Sequence, residues 1–145
     1  MRVIVVGVDG SDISREALRF ALDEASIRNT GVRAVLAWSA IPVVPIQAPG
    51  VDPGIDIEPL RDAAHVTLRE AVEAVAGTGA ADVEQVVVEG QAGEAILAHS
   101  DDAKLIVVGT HAHGALAELI LGSVSHHVVK HARCPVVVVP PLANA

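Results

Sequence analysis

The sequence predicts an open, doubly wound α/β sheet: five parallel strands in the order 3-2-1-4-5 with helices on both faces. Three observations carry this expectation. Short, nearly continuous apolar runs of the kind buried parallel strands contain recur along the chain, segments with helical apolar spacing separate them, and the two kinds alternate without interruption. Such alternation calls for right-handed crossovers between parallel strands. The 145 residues suit one compact domain over 1–145, long enough to bury a core without disulfides or structural metal.

The elements follow in order. Residues 1–8 read as a buried strand that ends at Asp9-Gly10-Ser11. Ala17, Leu18, Ala21, Leu22 and Ala25 then recur at helical spacing, with Ser11 or Ser14 to cap that helix. Residues 33–38 supply the second strand. Residues 41–59 hold five prolines and two glycines, the composition of a long surface loop. Ile57, Leu60, Ala64, Leu68, Ala71 and Val75 mark one face of a second helix closed by Gly77 and Gly79. Residues 83–88 form a third strand, followed by a Gly90/Gly93 turn and a short helix through Ala95, Ile96 and His99. A fourth strand covers 105–108, a last helix 123–132, and a fifth strand 135–139 stopped by Pro140-Pro141.

Composition removes several function classes. No apolar run approaches the ~18 residues that span a bilayer, so no membrane role is expected. The first strand gives way to a Gly/Asp turn too soon for a signal-peptide core, and the single cysteine, Cys134, suits a reducing compartment. A cytoplasmic protein is the expectation. A net charge of −8 and a single Phe and Trp disfavour nucleic-acid binding. One nucleotide remains compatible, because backbone N–H groups hold phosphate without basic side chains.

In doubly wound sheets ligands sit beyond the carboxyl ends of the strands, where the winding reverses. The loops after strands one and four meet that description. The first offers Asp9, either a ligand-binding carboxylate or the Asx-turn residue that Asp-Gly-Ser commonly marks. The second offers Gly109, which ends a strand and permits a turn, and Gly122-Ser123, which opens the last helix; Thr110 and His111 stay undecided. Phosphate on that helix start, with Ser123 giving N–H and hydroxyl, is a cradle without a lysine. No G-x4-G-K-[ST] and no G-x-G-x-x-G after a strand is present.

The segment GTHAHGALAELILGS over 109–123 resembles the G-x2-G-x9-G-[ST] signature of the universal stress protein family, with alanine at position 112 where the pattern has glycine. The resemblance extends through GVDGSD, VLAW, VVVEGQAGEAIL and GSVSHHVVKHARCPVVVV, essentially the whole chain. It implies a Rossmann-like fold that binds ATP or another adenine nucleotide, and a triphosphate is expected to arrive with Mg2+ bridging its phosphates. It further implies that Gly109, Ala112, Gly122 and Ser123 line the nucleotide, that Asp9 faces the nucleoside and that Ala37 borders the adenine. A third implication is a homodimer through Val136–Val139, and the all-valine edge strand asks for a partner on its own account.

Other constellations read as ordinary surface or core chemistry. Of the seven histidines, His111/His113 and His126/His127/His131 lie close in sequence, but no H-E-x-x-H or cysteine partner accompanies them. Ser123 with His126 or His127 lacks an oxyanion or third-member pattern, so efficient catalysis is not expected, and slow ATP hydrolysis is the most the residues suggest. The alternatives to a nucleotide-binding regulatory protein are a dimeric interaction module of the same fold that works without nucleotide, with Ala112 as its mark, and a weak ATP hydrolase.

Overall fold

The computed structural model describes residues 2–39, 56–110 and 121–141. Within them the order is β1 (Val3–Gly7), α1 (Asp12–Arg28), β2 (Val32–Trp38), α2 (Glu58–Ala76), β3 (Glu84–Glu89), α3 (Ala92–Ala98), β4 (Ala103–Gly109), α4 (Ser123–His131) and β5 (Val136–Val139). All pairings are parallel and the sheet order is β3-β2-β1-β4-β5, as the sequence predicts. β1 pairs with β2 through Ile4↔Val32 to Gly7↔Val35 and with β4 through Ile4↔Leu105 to Val6↔Val107. The winding therefore reverses between β1 and β4.

Side-chain alternation divides the core into two layers. Ile4, Val6, Val8, Val107 and Leu105 face α1 and α2, where Leu18, Ala21, Leu68 and Val72 meet them. Val5, Val35, Ile106 and Val108 face the other way, toward Ile96 of α3 and Val128 of α4. Both layers are aliphatic, and strands buried on both faces read as unbroken apolar runs for that reason.

Helix ends follow local chemistry. Ser11 caps α1, its hydroxyl accepting from Ser14 N at 3.2 Å, and Asn29 closes the helix in the left-handed region at φ 54°. α2 starts after Ile57, with the Glu58 N–H donating to Asp56 Oδ1 at 3.0 Å. Two details differ from the sequence reading. Gly77 does cap α2, at φ 56°, but Gly79 lies within a 3-10 helix over Gly77–Asp82 that apolar periodicity leaves invisible. Gly93 belongs to α3 rather than to the turn before it. A Cβ there would come within 2.7 Å of His127 Cδ2, so this glycine serves the α3–α4 contact.

Candidate functional site

A cleft of about 310 Å3 opens beyond the carboxyl ends of β1 and β4, at the reversal of the winding. Asp9, Ala37, Gly109, Gly122 and Ser123 all line it. Position 112, with His111, His113 and most of 41–59, lies outside the described residues.

The β1 side of the cleft is a tight strand-to-helix turn. Gly10 takes φ +89°, which side chains resist, and a Cβ there would sit 2.8 Å from Thr67 Cγ2 of α2. Asp9 Oδ1 accepts from Ser11 N at 2.9 Å, an Asx turn, and Asp9 N donates to Ser14 Oγ at 3.3 Å. Ser14 Oγ in turn donates to the Ser11 carbonyl at 2.9 Å. Asp9 is thus both the turn residue and a cleft residue. Although the residue is exposed at the lip, partial desolvation pushes its carboxyl upward. Hydrogen bonds from Ser11, Ser14 and its own backbone outweigh that push and hold it below the usual carboxylate range. A pre-oriented carboxylate of this kind accepts hydrogen bonds from hydroxyls.

Glycines let side chains of the neighbouring helices come close against the floor. A Cβ on Gly7 would meet Ile96 Cδ1 at 2.6 Å. Gly109 is the last residue of β4, paired with Val139, and has no positive φ. Gly109 ends the strand as the sequence predicts, and its lack of a side chain answers the approach of α1: a Cβ would stand 3.1 Å from Ile13 Cγ1.

The far wall is the start of α4. Gly122 is its N-cap at φ −70°, ψ 169°, with no side chain to cap the helix. The first bond within α4 runs from His126 N to Gly122 O at 2.9 Å, so the Ser123, Val124 and Ser125 amides precede the helical ladder. The Ser125 hydroxyl is turned back onto the Gly122 carbonyl at 3.1 Å instead of capping them. Those amides and the helix dipole favour an anion at the cleft's edge.

Among the described lining residues Asp9 is the charged side chain, and neither 40–55 nor 111–120 contains a lysine or arginine. Ser14, Ser125, Thr110 and Ile96 also line the cleft. The sequence reading missed Ser14, Ser125 and Ile96 as lining residues and left Thr110 undecided. The signal for Thr110 was available in the alternation of β4 continued past Gly109.

The histidines and the thiol sit elsewhere. The His127 ring packs on Gly93 and lies 4.6 Å from that of His131. No group of three His, Cys, Asp or Glu side chains stands in ligating position among the described residues. Burial pushes the Cys134 thiol up. No helix among the described residues is long and apolar enough to cross a membrane.

Fold and cleft together define a class: a doubly wound α/β domain whose switch-point cleft pairs an oriented carboxylate with an uncapped helix start. Comparison with known proteins narrows it. The model of the universal stress protein family matches residues 1–140. Two universal stress proteins of Mycobacterium tuberculosis are 37% and 36% identical over 139 residues, each alignment covering 93% of this chain and 44% of the relative. The chain thus spans less than half the length of these relatives. Among solved structures, a universal stress protein from Archaeoglobus fulgidus superposes with TM-score 0.71 at 30% identity, covering 96% of this chain and 98% of that one. A universal stress protein in complex with cAMP gives TM-score 0.70 at 28% identity over 95% and 96% of the two chains. A universal stress protein from A. fulgidus in complex with dAMP gives 0.68 at 28% identity over 96% and 98%. This chain belongs to the universal stress protein family.

Proposed function

We propose that this chain binds an adenine nucleotide in the switch-point cleft and acts as a regulatory domain in the cytoplasm. The observation that carries the reading is the convergence of Asp9, Ala37 and the uncapped α4 start on one cleft of about 310 Å3, at the lower end of the volumes small-ligand sites take. The residues fit the group. Asp9 would accept from ribose hydroxyls, the half-buried aliphatic edge at Ala37 would border the base, and the Ser123 to Ser125 amides with the Ser123 hydroxyl would hold phosphate. The cAMP and dAMP complexes of relatives support the ligand class.

ATP is the nucleotide we assign, carried with Mg2+. The cleft supplies no cationic side chain among its described residues and the chain's net charge is −8. The metal would provide the positive charge that a triphosphate needs there. Calorimetric titration tests both points: one saturable site for ATP, weakened when Mg2+ is withheld. Absence of heat or thermal stabilisation with ATP, AMP and cAMP alike would favour the nucleotide-independent interaction module instead, a reading that rests on Ala112.

We also propose a homodimer through β5. This edge strand is four valines, each half-buried. Val137 and Val139 pack toward α1 and α2, and Val136 and Val138 toward α3 and α4. The Pro135 and Val139 carbonyls face β4, accepting from Ile106 N and Thr110 N, so the backbone of Val136 and Val138 points outward. Val138→Pro removes an outward N–H while sparing the β4 ladder. It should convert the dimer to a monomer in light scattering. An unchanged dimer mass would place the interface elsewhere.

A further inference from the structure

Thr110 holds a polar group that the fold does not explain. Its backbone N–H donates to the Val139 carbonyl at 2.9 Å, carrying the β4–β5 ladder one residue past Gly109. Alternation then fixes where its side chain goes. Ile106 and Val108 pack toward α3 and α4, Val107 packs toward α1 and α2, and Gly109 faces Ile13 of α1. Thr110 therefore faces the α3/α4 side, where α4 begins, and it lines the cleft.

The residue is only 7% exposed. Its Oγ1 is buried and has no hydrogen-bond partner among the described residues. Leaving a buried hydroxyl unmatched is unfavourable, whereas valine has the same shape and nothing to satisfy. Packing alone would be better served by valine. The neighbouring hydroxyls show the contrast: Ser14 and Ser125, also buried, each donate to a backbone carbonyl at 2.9 and 3.1 Å.

We infer that the Thr110 hydroxyl is a ligand-binding group that donates a hydrogen bond to a phosphate oxygen of the nucleotide, beside the α4 amides. This rests on the nucleotide reading of the cleft. Phosphate, rather than base, follows from position. Ala37 lies on β2 and Thr110 beyond β4, with β1 between them, so the two ends of the site are about 10 Å apart, two strand spacings. Thr110 shares its end with Ser123 and Ser125, opposite the end assigned to the adenine.

Isothermal titration of the wild-type chain, Thr110→Val and Thr110→Ser with AMP and with adenosine tests this. Thr110→Val should weaken AMP about tenfold or more, the loss expected for a hydrogen bond to a charged group, and leave adenosine within about twofold. Thr110→Ser, which keeps the hydroxyl, should stay close to wild type. Equal AMP affinity in wild type and Thr110→Val would overturn the assignment, as would a parallel loss of adenosine or a serine variant as impaired as the valine one. The melting temperature of unliganded Thr110→Val should match or exceed that of wild type. A lowered one would mean that the hydroxyl is satisfied within the free protein, and would overturn it too. A wild-type chain that binds neither ligand would instead defeat the nucleotide reading on which the assignment stands.

Discussion

At the amino ends of the strands, Arg33 of β2 reaches across the sheet and is nearly saturated. Its Nη1 donates to the His99 carbonyl at 2.8 Å and to Asp102 Oδ1 at 2.7 Å, and its Nη2 to Asp102 Oδ2 at 3.1 Å. Its Nε lies 3.0 Å from Glu84 Oε1, an ion pair off the hydrogen-bond direction. One guanidinium thus ties β2 to the starts of β3 and β4. At the carboxyl ends the chain does the reverse. It uses glycines where helix side chains approach the strand ends closely, leaves the first amides of α4 outside the helical ladder, and buries a hydroxyl without a partner among the described residues. Where polar groups are matched internally the sheet is held together, and where they are left over the molecule has something to offer a ligand.

Substitutions at the two ends sharpen this contrast. The largest effect is expected at Gly10, where a β-branched residue would meet both the positive φ and Thr67. Gly10→Val should lose about 2–4 kcal/mol in urea denaturation, together with nucleotide binding. At the opposite end, Arg33→Ala should lose about 1–3 kcal/mol, because the His99 carbonyl and Asp102 forfeit a charged donor that is 15% exposed. Nucleotide affinity of the folded Arg33→Ala protein should be unchanged. A loss of affinity there would mean that the two ends of the sheet are coupled. Ser11→Ala removes the α1 cap and should cost about 1 kcal/mol.

The smallest effect concerns acid stability, where the ends behave alike for different reasons. The Asp102 carboxyl is held low by Arg33, and Asp9 is held low by Ser11, Ser14 and its own backbone against a desolvation push upward. In both cases the folded protein binds its proton less readily than the unfolded chain. Their stabilisation is therefore present above the unfolded carboxylate value, about 3.9, and is lost as pH falls through the lower folded value. Asp9→Asn and Asp102→Asn should each flatten the acid limb of a denaturation series run from neutral pH downward. Both carboxylates are exposed, so the change should be small, and an acid limb as steep as that of wild type in either variant would contradict the assignment.

Much of this was legible in the sequence, for identifiable reasons. Strands buried on both faces announce themselves as unbroken runs, and the alternation with helices leaves the doubly wound sheet as the economical arrangement. Once the order is 3-2-1-4-5, the loops after β1 and β4 must meet, which is how Asp9, Gly109, Gly122 and Ser123 come to share a cleft. What escaped depends on contacts between distant segments. Gly93 looks like a turn glycine until His127 is seen against it, and the sequence does not show Ile13 over Gly109. Ile96 reaches the cleft floor only because α3 crosses above Gly7. Thr110 is an ordinary threonine in the sequence, and its significance lies in a burial and a missing partner that only coordinates reveal.

The proposal that the open end of the sheet is a nucleotide site stands or falls on one measurement. Isothermal titration of the wild-type chain with AMP and with ATP plus Mg2+, repeated on Asp9→Ala, tests it most directly. One saturable site for each nucleotide is expected in the wild-type chain, with weaker binding of both to Asp9→Ala. No saturable heat in the wild-type chain, or full affinity in Asp9→Ala, would contradict it.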